Sequence, residues 1–182
     1  MFTENSAGRT METGRLILEP LVPDHAVEMV PVLADHRLYE FIGGQAPTLE
    51  VLSRRYVLQS GRGQFGSGTG GQSGDRPGGE TWLNWIIRVR DAECAAGFVQ
   101  ATVDPAGLAA QLAWVVGWNH QGRGYATEAA LAMVGWLIRQ GVPRFSAAIH
   151  PGNLASAAVA ARLGLAPSGI TDPDGEQLWL LS

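Results

Sequence analysis

Apolar and polar residues follow two rhythms along this chain, and the switches between them divide it into elements. Residues 15–21, Arg-Leu-Ile-Leu-Glu-Pro-Leu, alternate closely enough for a first strand, which Pro20 and Pro23 stop. Asp24 predicts the cap of a helix running toward Leu33, with Pro31 forcing a kink or a break. Over 48–58 the apolar period becomes that of a second helix, with Thr48 at the cap and Leu49, Leu52 and Tyr56 on one face. Period-two patterning returns at 82–90 and 95–103, joined by a turn at 91–93, and after a tight turn at 104–107 the short apolar run 112–116, rich in β-formers, reads as the next strand. Those three runs predict an antiparallel meander. Residues 125–139 hold many helix formers and almost no breakers, and predict a long apolar helix stopped by Gly141-Val142-Pro143. Residues 144–150 read as another strand, Asn153 as the cap of a fourth helix over 155–163 ending at Gly164, and 165–170 and 176–181 as closing strands. The pattern is that of an α/β chain with about seven strands and four helices.

Two stretches stand outside this pattern. Residues 1–12 read as a flexible N-terminal tail, with Met11 a natural place for order to begin and a single domain filling 13–182. Residues 61–79 are dominated by glycine with Ser, Gln, Arg and Asp, can bury almost nothing, and are expected to form a mobile loop or insertion. Within them Gly61-Arg-Gly-Gln-Phe-Gly66 spells a dinucleotide-binding pattern. The mechanism of that pattern needs a strand before it and a helix after it, and neither is predicted here. We reject it.

Composition narrows the classes. A chain of 182 residues, 46% hydrophobic, suits one domain with a sizeable core. A net charge of −4 argues against wholesale nucleic-acid binding or adhesion to an anionic membrane. The only cysteine, Cys94, excludes an intrachain disulfide, and His25, His36, His120 and His150 are too scattered to suggest a metal site. The longest apolar run, 129–138, is about half a bilayer span, and the N-terminus lacks a signal-peptide core, so a cytoplasmic location is expected.

Chemistry concentrates where the strand at 112–116 meets the helix at 125–139. Gln121-Gly122-Arg123-Gly124 separates them, and such a turn aims free backbone N–H groups at one point with the positive end of the helix dipole behind. That is a cradle for phosphate or pyrophosphate. A side chain at Gly122 or Gly124 would hold an anion off the backbone. The same residues also suit an ordinary strand-to-helix turn.

The element order, with Gln121-Gly122-Arg123-Gly124-Tyr125-Ala126 and the later Asn153-Leu-Ala-Ser156, resembles the GNAT superfamily of acetyl-CoA-dependent N-acetyltransferases. Gly-Tyr-Ala-Thr-Glu-Ala at 124–129, Leu163-Gly164-Leu165 and the opening Thr-x-Arg-Leu-x-Leu-x-Pro-Leu at 13–21 are similar to its ribosomal-protein N-acetyltransferase branch. The resemblance covers nearly the whole chain. It implies a mixed, largely antiparallel sheet flanked by helices, acetyl-CoA as cosubstrate and no metal. By the same likeness Gln121, Gly122, Arg123, Gly124, Tyr125 and Ala126 would hold the pyrophosphate. The strands at 112–117 and 144–150 would splay, and the pantetheine arm would pair with Val115, Val116 and Gly117 like an added strand. An N–H of Val116 or Gly117 would polarise the thioester carbonyl and stabilise the tetrahedral intermediate, and Asn153 would bond the pantetheine.

The proton carriers are less defined. The tyrosine that often acts as acid, seven residues after the motif Asn, is Ala160 here. Ser156 resembles the serine given that role in the ribosomal-protein branch, and its alternative is a first-turn polar residue. His150 suits a general base by its ordinary pKa, against the alternative of a strand-end histidine that packs on the following helix. Glu176 and Glu40 are further carboxylate candidates, and a water relay needs no dedicated base. Trp82, Asn84 and Phe41 lie where the family walls its acceptor pocket. Alternation sets Trp82 and Asn84 on one sheet face and Trp85 on the other. The expected reaction moves acetyl from acetyl-CoA to a primary amine, a protein N-terminus or a small amine; a non-catalytic acyl-CoA-binding sensor is the alternative. Neither nucleic acid nor membrane is an expected partner, and a homodimer is compatible with the reading.

Overall fold

In the computed structural model, residues 9–60 and 79–181 are described. The loop expected at 61–79, apart from Gly79, and the tail before Arg9 lie outside them. Eight strands form one sheet: β1 (Met11–Glu12), β2 (Leu16–Pro20), β3 (Thr81–Val89), β4 (Cys94–Val103), β5 (Ala109–Val116), β6 (Arg144–Ile149), β7 (Leu165–Thr171) and β8 (Gln177–Leu181). Their spatial order is β1-β2-β3-β4-β5-β6-β8-β7. Every pairing is antiparallel except that of β5 with β6. Five α-helices flank it: α1 (Ala26–Val32), α2 (Tyr39–Ile42), α3 (Leu49–Gln59), α4 (Tyr125–Arg139) and α5 (Leu154–Arg162). No helix among the described residues is long and apolar enough to cross a membrane.

Alternation along the meander sorts side chains to two cores. Leu83, Trp85 and Ile87 of β3 pack on one face with Ala129, Met133 and Trp136 of α4, where Trp85 meets Trp136 edge-on at 5.4 Å between ring centroids. Ile86 turns to the other face and joins Met29 of α1 with Leu52 and Tyr56 of α3. The two faces are thus covered by different parts of the chain, α4 on one side and α1 with α3 on the other.

Four expectations need correction. Met11–Glu12 pairs with β2 and Met11 is buried, so the end of the expected tail is part of the sheet. Asp24 does not cap: a 3-10 turn over Pro23–His25 opens the segment, where the Val22 N–H donates to His25 Nδ1 at 3.1 Å. Pro31 fits into the last turn of α1 rather than breaking it, since little helix remains beyond it to disrupt. Thr48 does cap α3, accepting from the Val51 N–H, but Leu49 stands exposed while Leu52 and Tyr56 are buried.

Candidate active site

The parallel pairing of β5 and β6 is short. Ala109–Gln111 sit opposite Arg144–Ser146, and beyond that β6 pairs only with β8 while β5 continues beside β4 as far as Val116. A wedge therefore opens in the middle of the sheet. The Gly117 N–H donates to the Ala96 carbonyl of β4 at 2.8 Å. In an antiparallel ladder the groups alternate sides, so the Val116 N–H turns the opposite way, toward the wedge. Of the two expected oxyanion donors, Gly117 is already engaged and Val116 has the required direction. Glycine is required at 117 for space, because a Cβ would lie 2.7 Å from Val32 Cγ1 and 2.8 Å from the Val32 carbonyl at the end of α1.

A 3-10 turn over Trp118–His120 leads from β5 to the glycine turn. Gln121 does not aim its side chain at the cradle: its Nε2 donates to the Val116 carbonyl at 3.0 Å and ties the turn to the end of the strand. Gly122 and Gly124 have φ of 74° and 78°, the left-handed region that glycine enters without a Cβ penalty. Gly124 is the residue before α4, so the N–H groups of Tyr125 and Ala126 in its first turn lack intrahelical partners.

Arg15, which pattern reading did not single out, braces this turn. Its Nη1 donates to the Arg123 carbonyl at 2.9 Å, and its Nε donates to Glu128 Oε2 at 2.7 Å. Its guanidinium also lies 5.1 Å from the Tyr125 ring centroid. Glu128 accepts further bonds from the Arg15 N–H at 3.0 Å and the Thr13 hydroxyl at 2.6 Å. Burial pushes the Glu128 carboxyl up, but the Thr13 and Arg15 donors outweigh it and hold the group below its ordinary range. The only hint in the sequence is that Thr13 and Arg15 open one motif while Glu128 sits in the other.

The wedge continues into a cleft of about 510 Å³ on the face that α1 and α3 cover, and Phe41, Val115, His150, Asn153, Ser156 and Glu176 are among its walls. Asn153 caps α5 through its Oδ1, which accepts the Ser156 N–H at 3.0 Å and leaves the amide NH₂ as a donor. His150 Nδ1 accepts the Gly152 N–H at 3.1 Å, and its ring lies against Phe41, 5.4 Å between centroids. A neutral histidine held this way carries its proton on Nε2, which makes that nitrogen a donor into the cleft. Glu176 lines the same cleft. Its carboxyl is raised above the ordinary value, first by burial and then by Asp172 and Asp174 in the same hairpin, against a smaller opposing effect of His150.

Two expected acceptor residues lie elsewhere. Asn84 is buried and its amide donates to the Gln59 carbonyl at 3.2 Å, pinning the end of α3 to β3. Trp82 shares its face, as alternation requires, and is not among the residues lining the cleft. Gln100, Thr102 and Gln111 are there instead, on the floor formed by β4 and β5. Their signal was the every-second-residue series Phe98, Gln100, Thr102, which turns polar halfway along a strand. Among the described residues, no group of three His, Cys, Asp or Glu side chains is arranged to hold a metal.

Comparison with known proteins fits this geometry. A domain described as acetyltransferase (GNAT) matches residues 15–166. No curated protein sequence matches the chain. Among solved structures, an acetyltransferase from Agrobacterium tumefaciens aligns with TM-score 0.70 and 23% identity over 100% of this chain and 96% of its own. RimL, the ribosomal L7/L12 alpha-N-protein acetyltransferase, solved with coenzyme A, aligns with TM-score 0.74 and 16% identity over 94% and 96%. The microcin C7 self-immunity acetyltransferase MccE, solved with acetyl-CoA and AMP, gives TM-score 0.74 and 16% identity over 92% of each chain. At these identities the structures speak for the fold, and the domain match, covering most of the chain, supplies the family: this chain belongs to the GNAT acetyltransferases.

Proposed function

We propose that the protein moves an acetyl group from acetyl-CoA to a primary amine held in the cleft at the β5/β6 wedge. The observation that carries this is the wedge itself: the Val116 N–H, unpaired within the sheet, turns toward it, and the cleft it leads into is lined by Asn153, Ser156 and Glu176. The fit to the cosubstrate rests on the two left-handed glycines and the open first turn of α4, which present N–H donors to a pyrophosphate. Acetyl-CoA supplies an activated thioester. The Asn153 amide donates to the pantetheine arm, and the Val116 N–H donates to the thioester oxygen as negative charge develops there.

Glu176, basic for a carboxylate, accepts the proton that the acceptor ammonium must lose before its nitrogen can attack. A C–N bond then forms, the C–S bond breaks as the nitrogen sheds its second proton, and the Ser156 hydroxyl gives a proton to the departing thiolate and regains the one released from the nitrogen through solvent. A thiol titrates near ~8.5, so the thiolate leaves tolerably by itself and Ser156 assists rather than enables. Calorimetric titration with acetyl-CoA, with NADH as control, followed by an amine panel scored for CoA release, tests the reading. Micromolar binding of acetyl-CoA alone and release of CoA with an amine are expected. A folded protein that binds no acetyl-CoA would refute it, and one that binds without turnover against any amine would mark a sensor.

A further inference from the structure

The cradle carries a liability that the glycine turn alone does not remove. Glu128 lies in the first turn of α4, beside the N–H groups proposed to receive a pyrophosphate, and its side chain is only 20% exposed. A carboxylate at a helix N-terminus is favourable for the helix, yet it repels an incoming anion at the same place. Among the described residues the only ion-pair partner of Glu128 is Arg15, whose Nη2 approaches Glu128 Oε2 at 2.6 Å while Nη1 holds the Arg123 carbonyl. That carbonyl belongs to the turn itself, between the two left-handed glycines. The same guanidinium lies over Tyr125 and would be 3.5 Å from a Cβ at Gly124, so it borders the cradle rather than a remote surface.

Resting on the acetyl-CoA reading, we infer that Arg15 is a positioning residue of the cradle that neutralises Glu128 and holds the Arg123 carbonyl away from the anion. Glu128 in turn docks the segment leading into β2 onto α4 through Thr13 and the Arg15 N–H. The charge needed to build the cradle's wall is thus cancelled by a residue more than a hundred positions earlier in the chain. Arg15 has no part in the proton transfers.

The test is a charge cycle read by binding. Acetyl-CoA affinity is measured by calorimetry for the wild type, Arg15→Met, Glu128→Gln and the double variant, each checked for a native melting transition. Arg15→Met exposes an uncancelled carboxylate and should weaken acetyl-CoA on the order of tenfold. Glu128→Gln keeps an oxygen to accept from Thr13 and Arg15, and should bind acetyl-CoA at least as tightly as the wild type. Adding Glu128→Gln to Arg15→Met should restore affinity to within about threefold of the wild type. Arg15 acting only as a brace would leave the double variant as weak as Arg15→Met, and that result would overturn the inference. Unchanged affinity in Arg15→Met would overturn it as well. Were Arg15→Met to unfold, Glu128→Gln decides alone, because a tenfold loss there makes the carboxylate a support and not a liability. Absence of binding to the wild type would refute the acetyl-CoA reading itself, a different failure from an Arg15 variant that binds normally.

Discussion

Glu176 owes its basicity to the hairpin that carries it. Its own N–H donates to Asp172 Oδ1 at 2.9 Å, which keeps the neighbouring carboxylates on the same turn. A raised carboxyl is ionised only above its shifted pKa, so activity should climb as pH rises through that value. Glu176→Gln is expected to lower kcat by about 10²–10⁴ and to erase that acid limb. Asp174→Asn removes one like charge and should slide the limb to lower pH with the rate above it unchanged; the pH dependence of kcat measures both. The residue was visible in the sequence as a candidate, but its placement in the same cleft as Ser156 was not. That depends on β8 inserting between β6 and β7, a pairing no local pattern announces. His150 shows the converse: type and strand-end position were legible, while the Gly152 hydrogen bond that fixes its tautomer was not.

Elements were more legible than residues. The meander, α4 and α5 follow from periodicity and caps, because each is long and its burial one-sided. The element missed outright was a short one, β1, whose two residues carry no period and whose form is imposed by its neighbour β2, and α2, with four residues, gave no pattern to read. Glycines within elements are read less easily still. Gly97 in β4 lies so close to β5 that a Cβ would run into the Val115 carbonyl, so Gly97→Ala should cost about 1–3 kcal/mol and lower Tm by disturbing the strand that lines the wedge. Gly124→Glu combines a left-handed φ, costing about 1–2 kcal/mol, with an acidic side chain at the cradle. It should remain folded and lose acetyl-CoA binding by calorimetry; a folded variant with unaltered affinity would remove the cradle from the mechanism.

At the scale of the molecule, a net charge of −4 suggests a taste for cations that the cleft does not share. Among the described residues lining it, Glu176 is the only carboxylate, Arg55 is a cation on the α3 side, and the floor is amide and hydroxyl. A polyamine, with several ammonium groups to place, has one counter-charge there, and that one is assigned to proton removal. Spermidine should therefore give a lower kcat/KM than a monoamine of similar length at the same acetyl-CoA concentration. Charge spread over a surface says little about one concavity, so the lining of the cleft is the scale at which this prediction is made.

The wedge between β5 and β6 leaves alternate N–H groups of β5 without a sheet partner, those of Trp114 and Val116, while Ala113 and Val115 face β4. Amide exchange should divide along that alternation. In the free protein the first set exchanges with solvent quickly and the second slowly. Saturation with acetyl-CoA should slow the first set and leave the second where it was, and Tm should rise with the logarithm of ligand concentration. The fold would then draw part of its cooperativity from a metabolite, so that starvation for acetyl-CoA would register first as a looser protein and only afterwards as a slower one.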